Sequence, residues 1–241
     1  PLPAVCGRVC PAPCMDACNR AGFDTSVNVR ELERACAEQG KRPEPVLSWR
    51  AQEVAVVGSG PAGLSTAYQL AKLGYPVTMF ESGDELGGVL RTGIPAYRLP
   101  RDVLDEEIDH ILRYDIEAKT GQQIDRETML GLSQQYQAVF VATGLQNLSD
   151  LDLGDSGSLA PVQGLHFLEK VRNDSIRLDD QQVIVIGGGN TAMDAARSAL
   201  RLGARRVRVI YRRTRSEMPA IDEEIEKVAD EIAQQILNNF K

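Results

Sequence analysis

At 241 residues the chain can form one large domain or two modest ones, and 43% hydrophobic residues are enough to bury a core. A net charge of −7 argues against a nucleic-acid surface, and 5% aromatic residues leave too few rings for a single-strand stacking platform. No apolar run is long enough to span a bilayer, because glycines and polar residues interrupt each one. The opening Pro1-Leu2-Pro3-Ala4 has neither an initiator Met nor a basic n-region, so no signal peptide is read and the chain is expected to be trimmed at its start.

Residues 1–45 form a Cys-rich segment and linker. Cys6, Cys10, Cys14 and Cys18 crowd its start, Cys36 follows, and no cysteine comes after. A secreted disulfide protein spreads its cysteines over the fold. One cluster beside a nucleotide-binding pattern points instead to a reducing, cytoplasmic compartment and to a metal or iron–sulfur site. The spacing, three residues between successive cysteines from Cys6 to Cys18, is neither the common ferredoxin run nor a zinc-finger pattern. The four could ligate one four-iron cluster by themselves; zinc and plain structural thiols are the alternatives. Asn28 to Gly40 reads as a short helix, with Asn28 as cap, Glu31 placed as in a capping box, and Gly40 as stop. Lys41-Arg42-Pro43-Glu44-Pro45 is a linker, since two nearby prolines resist helix and sheet alike.

Residues 46–145 open with a β-α-β unit. Val54–Val57 is a continuous apolar run, as in a strand buried on both faces. Ala62 to Leu73 is predicted helical and ended by Gly74; Val77 to Glu81 is the next strand, and Ala138 to Ala142 a later one. The first turn reads Gly58-Ser59-Gly60-Pro61-Ala62-Gly63. Gly58 permits the tight turn, Gly60 leaves the backbone open to a pyrophosphate, and Gly63 lets helix and strand pack closely. The helix N-terminus offers N–H groups to phosphate. Glu81, at the end of the second strand, can accept from both hydroxyls of an unphosphorylated ribose. A tight turn in an unrelated α/β fold would leave Glu81 unexplained.

Residues 146–180 read as a loop-rich connection. Over 181–241 the unit repeats, with strand Val183–Ile186, helix Asn190–Leu202 ended by Gly203, and strand Val207–Tyr211. Its turn is Gly187-Gly188-Gly189-Asn190-Thr191-Ala192, in which Ala192 still allows close packing. Where the first unit has Glu81, this one has Tyr211-Arg212-Arg213. An acid there repels a 2′-phosphate and a guanidinium pairs with it, so NADPH is favoured over NADH through Arg212 or Arg213. Arg205, Arg206 and Arg208 read as a solvated stripe. His110 and His166 are isolated and structural. Asp105-Glu106-Glu107 and Asp222-Glu223-Glu224 read as solvated helix faces, and Ile225, Val228, Ile232 and Ile236 as one side of an amphipathic helix.

Glu81-Ser82-Gly83-Asp84-Glu85-Leu86-Gly87-Gly88 resembles the loop that flavoproteins of the two-dinucleotide-binding family place after their FAD-ribose acid, and Thr143-Gly144 resembles the segment closing the first stretch of their FAD domain. Leu86 to Arg91 contains no cysteine, which excludes a dithiol relay built on either nucleotide unit. Val5 to Cys18 is similar to the N-terminal domain of the glutamate synthase small subunit family, a domain that also opens dihydropyrimidine dehydrogenase. The likeness continues through Gly93-Ile94-Pro95-Ala96-Tyr97-Arg98-Leu99-Pro100 and through Gly187 to Ala220.

The resemblance implies an α/β fold of two Rossmann-like units behind a helical iron–sulfur segment. It implies FAD at Gly58, Gly60, Pro61, Ala62, Gly63, Glu81, Gly87, Gly88, Arg98, Thr143 and Gly144. NADPH would sit at Gly187, Gly189, Asn190, Thr191, Ala192, Arg212 and Arg213. Cys10 and Cys14 would ligate one [4Fe-4S] cluster together with Glu33, and Cys18 another; Cys6 matches the motif as an uncertain ligand, and Cys36 as a packing thiol. Electrons would pass from NADPH through FAD to a large catalytic subunit or fused acceptor domain. An upstream cysteine run and the C-terminal return of the FAD domain belong to that family's pattern and are absent from this sequence. The alternatives are the electron-input module of a dihydropyrimidine dehydrogenase-like enzyme and a catalytically silent adaptor.

Overall fold

The structure, a computed structural model, describes residues 1–45, 47, 49–145 and 161–238. The chain divides into two compact units, one of Pro1–Arg91 with Ala96–Gln146 and one of Thr92–Pro95 with Asn147–Lys241.

The first unit begins with α1 (Pro3–Val9), α2 (Pro13–Asp16), a 3-10 turn (Asn19–Gly22) and α3 (Val29–Gln39). Asn28 caps α3 as the sequence predicts, its Oδ1 accepting from the Glu31 N–H at 3.1 Å. Gly7 lets α1 lie against α3, because a side chain there would meet Arg34 Cβ at 2.6 Å. An Arg8–Glu38 ion pair at 2.7 Å also links the two helices.

The rest of the unit comprises β1 (Val54–Val57), α4 (Pro61–Lys72), β2 (Val77–Phe80), α5 (Val89–Thr92), α6 (Arg101–Leu112), β3 (Ile116–Lys119), α7 (Arg126–Gln135) and β4 (Ala138–Val141). All strands are parallel, in the order β3-β2-β1-β4, with Val54 opposite Val77 and Ala138. β1 and β2 are buried throughout, as their unbroken apolar runs require. Along β1 the faces alternate. Val56 touches the α4 side near Gly63, while Ala55 and Val57 join Phe80, Leu132 and Tyr136 on the α7 side. Behind α4, Tyr68 packs edge-on against Tyr114, with His110 beside both rings. His110 is thus a core ring, as predicted.

The second unit holds α8 (Gly164–Arg172), β5 (Gln182–Ile186), α9 (Asn190–Arg201), β6 (Arg206–Ile210), a 3-10 turn (Arg215–Glu217) and α10 (Asp222–Asn238). β5 and β6 are parallel, Gln182 facing Arg206 and Ile186 facing Ile210. Met193, Ala196 and Ala199 of α9 pack on Val207 and on Ile225 and Val228 of α10. Ile232 joins this core, whereas Ile236 is half exposed. Both α4 and α9 are followed by a glycine in the left-handed region, Gly74 and Gly203, each with φ of +86°. The stretch predicted to be loop-rich contains α8, whose Phe167 packs against the α9 core and whose Leu168 is buried; its part at 146–160 lies outside the described residues, as do positions 239–241. Among the described residues no helix is long and apolar enough to cross a membrane.

Two acidic runs are not the solvated faces their composition suggests. Glu107 is wholly buried and meets Arg42 of the linker at 2.5 Å. It shares an inward stripe with Leu104, Ile108 and Ile111, so its place on the helix decides its burial. Glu224 is likewise buried, beside Ile225 and Val228, and meets the buried Arg197 at 2.5 Å. Asp105 stays exposed but pairs with Arg91, itself buried and tied to the Leu86 carbonyl and Glu85. Arg42→Ala would leave a fully buried carboxylate without its cation. Urea unfolding should show a loss of about 3 kcal/mol, and an unchanged midpoint would contradict the pairing.

Candidate dinucleotide-binding sites

Each unit brings a glycine turn to the N-terminus of a twelve-residue helix. In the first, Gly58 adopts φ +101°, and a side chain there would strike the Ala142 carbonyl at 2.3 Å. A Cβ on Gly63 would lie 1.9 Å from the Gly58 carbonyl oxygen, so helix and strand touch backbone to backbone. Around Gly60, the N-cap of α4, there is open space within 4 Å. Pro61 follows at the first helical position, where its missing N–H costs nothing, and Ala62 is exposed beside it. The turn therefore leaves room above a helix N-terminus, the geometry that accepts a phosphate.

Of the residues predicted to join this turn, Gly87, Gly88 and Thr143 lie against it. Gly88, at φ +52°, comes so close to Gly60 that a Cβ would sit 2.9 Å from the Gly60 Cα. Gly87 donates to the Ser59 carbonyl at 3.2 Å and to the Ser59 hydroxyl at 3.0 Å. Thr143 follows the Ala142 carbonyl that crowds Gly58, and Gly144 adopts φ +71°. Arg98 sits half-buried in the segment leading into α6.

Glu81 follows β2 directly. Its Oε2 accepts from the Ser59 N–H at 2.9 Å and the Ser59 hydroxyl at 2.5 Å; its Oε1 accepts from the Gly83 N–H at 2.9 Å and the Ser82 hydroxyl at 3.1 Å. Burial pushes this carboxyl up, but the Gly83 N–H, the Ser59 hydroxyl and N–H and the Ser82 hydroxyl outweigh it and hold the group below the usual carboxylate range. The acid is a fixed anion. Ser59 was not singled out in the sequence, where it fills an unspecified place between two glycines.

In the second turn Gly187 adopts φ +147°, and a Cβ there would contact Ala192 at 3.3 Å. Gly188 lies under the Tyr211 ring, where a side chain would come within 2.7 Å. The space around Gly189 is open. Asn190 Oδ1 accepts from the Ile221 N–H at 3.0 Å, Thr191 is exposed, and the Tyr211 hydroxyl donates to the Glu217 carbonyl at 3.0 Å. Arg212 and Arg213 stand exposed just after β6, ahead of the Thr214–Glu217 capping box. Arg205, Arg206 and Arg208 are exposed too, as predicted.

The cysteines do not assemble into one site. Burial, then Glu33 and Cys10, push the Cys6 thiol up, which puts these three groups in one neighbourhood. Cys10 Sγ accepts from the Ala12 N–H at 3.4 Å, where Ala12 turns the chain at φ +53°. Cys14 is exposed on α2. Cys18 is held below its ordinary value by the backbone N–H groups of Val27, Arg20 and Ala21. Among the described residues no three His, Cys, Asp or Glu side chains are gathered to hold a metal. The expectation that Cys6, Cys10, Cys14 and Cys18 could close a cluster alone is therefore not met. Ala12 turns the chain in the left-handed region between α1 and α2, so Cys10 and Cys14 do not lie on one continuous helix. These residues do not by themselves fit a complete cluster.

Two parallel β-α-β units, each opened by a glycine turn at a helix N-terminus, define a dinucleotide-binding α/β protein. Residues 52–236 match the family described as Pyridine nucleotide-disulphide oxidoreductase, and the chain belongs to it. It is 42% identical to the NADP(+)-dependent formate dehydrogenase subunit beta of Moorella thermoacetica, over 91% of this chain and 35% of that one. It is 40% identical to the NADPH-Fe(3+) oxidoreductase subunit beta of Geobacter sulfurreducens, over 91% and 34%. It is 35% identical to the NAD-dependent dihydropyrimidine dehydrogenase subunit PreT homolog of Salmonella typhi, over 92% and 56%. The chain thus spans between about a third and somewhat over half of these relatives. The fold is shared with Mycobacterium tuberculosis FprA in complex with NADPH, at TM-score 0.62 and 22% identity over 75% of this chain and 48% of that one.

The two inner glycines of the first turn should behave differently. Gly63→Ala should destabilise the unit by about 1–3 kcal/mol, because backbone must shift. Gly60→Ala should leave the unfolding midpoint alone and weaken dinucleotide retention, because its Cβ enters only ligand space. Thermal melts paired with cofactor retention separate the two; equal effects on both readouts would refute the assignment.

Proposed function

We propose that this chain is the NADPH- and FAD-binding part of an iron–sulfur oxidoreductase resembling the glutamate synthase small subunit. The observation that carries this reading is the contrast between two similarly built turns: one is followed by the anion Glu81, the other by the cations Arg212 and Arg213. The first suits an unphosphorylated ribose, as in FAD; the second suits the 2′-phosphate of NADPH. The names of the formate dehydrogenase and Fe(3+) oxidoreductase β subunits support NADPH. Bound FAD would supply the redox chemistry, hydride acceptance from NADPH and onward electron release. The chain's own part is binding and orientation. Gly60 and the α4 N-terminus receive the FAD phosphates, Glu81 the ribose, and Gly87, Gly88, Arg98, Thr143 and Gly144 the remainder. Gly189, Asn190, Thr191 and Ala192 receive the second dinucleotide.

Cys10, Cys14 and Cys18, with Glu33, would supply part of the ligands of [4Fe-4S] clusters, and Cys6 belongs to the same motif. The others come from another segment or subunit. The N–H donors on Cys18 suit anionic sulfur, and the absence of later cysteines suits a reducing, cytoplasmic setting. The partner is a large catalytic subunit or fused acceptor domain, in keeping with relatives named as subunits. The PreT homolog favours a second reading, the electron-input module of a dihydropyrimidine dehydrogenase-like enzyme, which differs in its final acceptor.

Replacing Arg212 and Arg213 together with Ala should raise the apparent KM for NADPH about 10–100-fold and leave NADH nearly unchanged. Steady-state kinetics with both cofactors measure this, and equal losses would sink the selectivity. Cys14→Ala should lower the iron content of the protein isolated with its partner and stop electron delivery, while NADPH still bleaches the flavin. Iron analysis and anaerobic spectra decide; intact iron and partner reduction would remove Cys14 from the ligand set.

A further inference from the structure

Ser59 is fully buried in the first glycine turn, and Glu81 and Gly87 both meet its polar atoms. Its hydroxyl accepts from the Gly87 N–H at 3.0 Å and donates to Glu81 Oε2 at 2.5 Å. Its N–H donates to the same oxygen at 2.9 Å, and its carbonyl accepts from Gly87 at 3.2 Å. We propose that Ser59 is the positioning residue of this site: its hydroxyl aims the Glu81 carboxylate and ties that aim to the closed Gly87–Gly88 turn. The inference rests on the reading of Glu81 as the FAD-ribose acid.

Acceptor capacity supports the assignment. A carboxylate offers about four lone-pair directions. Here the Ser59 N–H, Ser59 hydroxyl, Gly83 N–H and Ser82 hydroxyl take one each. Ribose hydroxyls must therefore displace a donor. The two backbone N–H groups cannot leave without moving the turn. Ser82 is exposed and free to rotate its hydroxyl away. Ser59 is enclosed and also held by Gly87. Ser82 is thus the donor that yields to the ribose, and Ser59 the one that stays and sets the direction.

The charged groups around Glu81 leave the hydroxyl as the variable that matters. Lys119 of β3, whose carbonyl accepts from the Glu81 N–H, directs its ammonium to Glu117 at 3.3 Å and over the Phe80 ring. Asp84 and Glu85 are exposed on the following loop, and Arg91 is engaged by Glu85 and Asp105. Bound FAD adds its own phosphates. Retention carried by ionised Glu81 is present above the carboxyl's pKa and fades as pH falls through it. Removing a donor to the charged form raises that pKa, so Ser59→Ala should release FAD at a higher pH than the wild type.

The experiment measures FAD retention against pH for wild type, Ser59→Ala and Glu81→Gln, and follows the Glu81 carboxyl by carbon-13 NMR in the FAD-free protein. Ser59→Ala should retain FAD about tenfold more weakly at neutral pH, and both its release midpoint and the NMR titration should move upward. Weakening that is equal at every pH, with an unmoved Glu81 titration, would overturn the proposal, because Ser59 would then only pack. A Glu81→Gln variant that holds FAD like wild type would instead overturn the FAD-ribose reading beneath it. Glu81→Gln weak and Ser59→Ala unchanged would sink Ser59 alone.

Discussion

The first unit is organised around a contact between two stretches of backbone. The start of α4 presses so closely on the Gly58 carbonyl that no atom larger than hydrogen fits at Gly63. That approach aims the N–H groups of the first helical turn at the space above β1 and brings Gly58 against the Ala142–Thr143 backbone at the end of β4. Strand order completes the arrangement. With β1 central between β2 and β4, the acid after β2 and the Thr143–Gly144 segment after β4 flank one turn. The second unit repeats the approach at Gly187 with a looser fit, since Ala192 replaces a glycine and a Cβ would there meet only another methyl.

What distinguishes the two units is the chemistry placed at the end of the second strand. Glu81 is surrounded by donors and kept charged, whereas Arg212 and Arg213 stand in solvent. The first site has its polarity set before any ligand arrives. The second relies on long side chains whose ordering is completed by what they bind. The cysteines show a further degree of incompleteness. Individual sulfurs receive N–H donors, yet among the described residues no full ligand set is gathered.

Much of this was legible in the sequence because the elements around each turn are short and unmixed. Val54–Val57 admits one reading, and Gly74 and Gly203 end their helices where expected. Glu81 was legible from its distance to the turn, and Arg212–Arg213 from occupying the equivalent place. β3, with two charged residues of its four, carries no such pattern and is held by pairing with β2. Glu107 and Glu224 escaped for a related reason: composition describes a run, while burial depends on which residue of the run faces inward. Ser59 was hidden because its role is defined by partners at positions 81 and 87, which no local pattern links to it.

The Arg42–Glu107 pair joins residues 65 positions apart. A ribosome releases the chain from its N-terminus, so the cysteine helices emerge while α6 is still unmade. At ordinary elongation rates the interval is on the order of several seconds. During that time α1 can pack only on its neighbour α3, and Glu107, the partner of Arg42, is not yet made. Any factor that acts on these cysteines can therefore meet them on the nascent chain before α6 is in place. The order of synthesis thereby gives the cysteine-bearing segment an interval of its own before the rest of the unit is made.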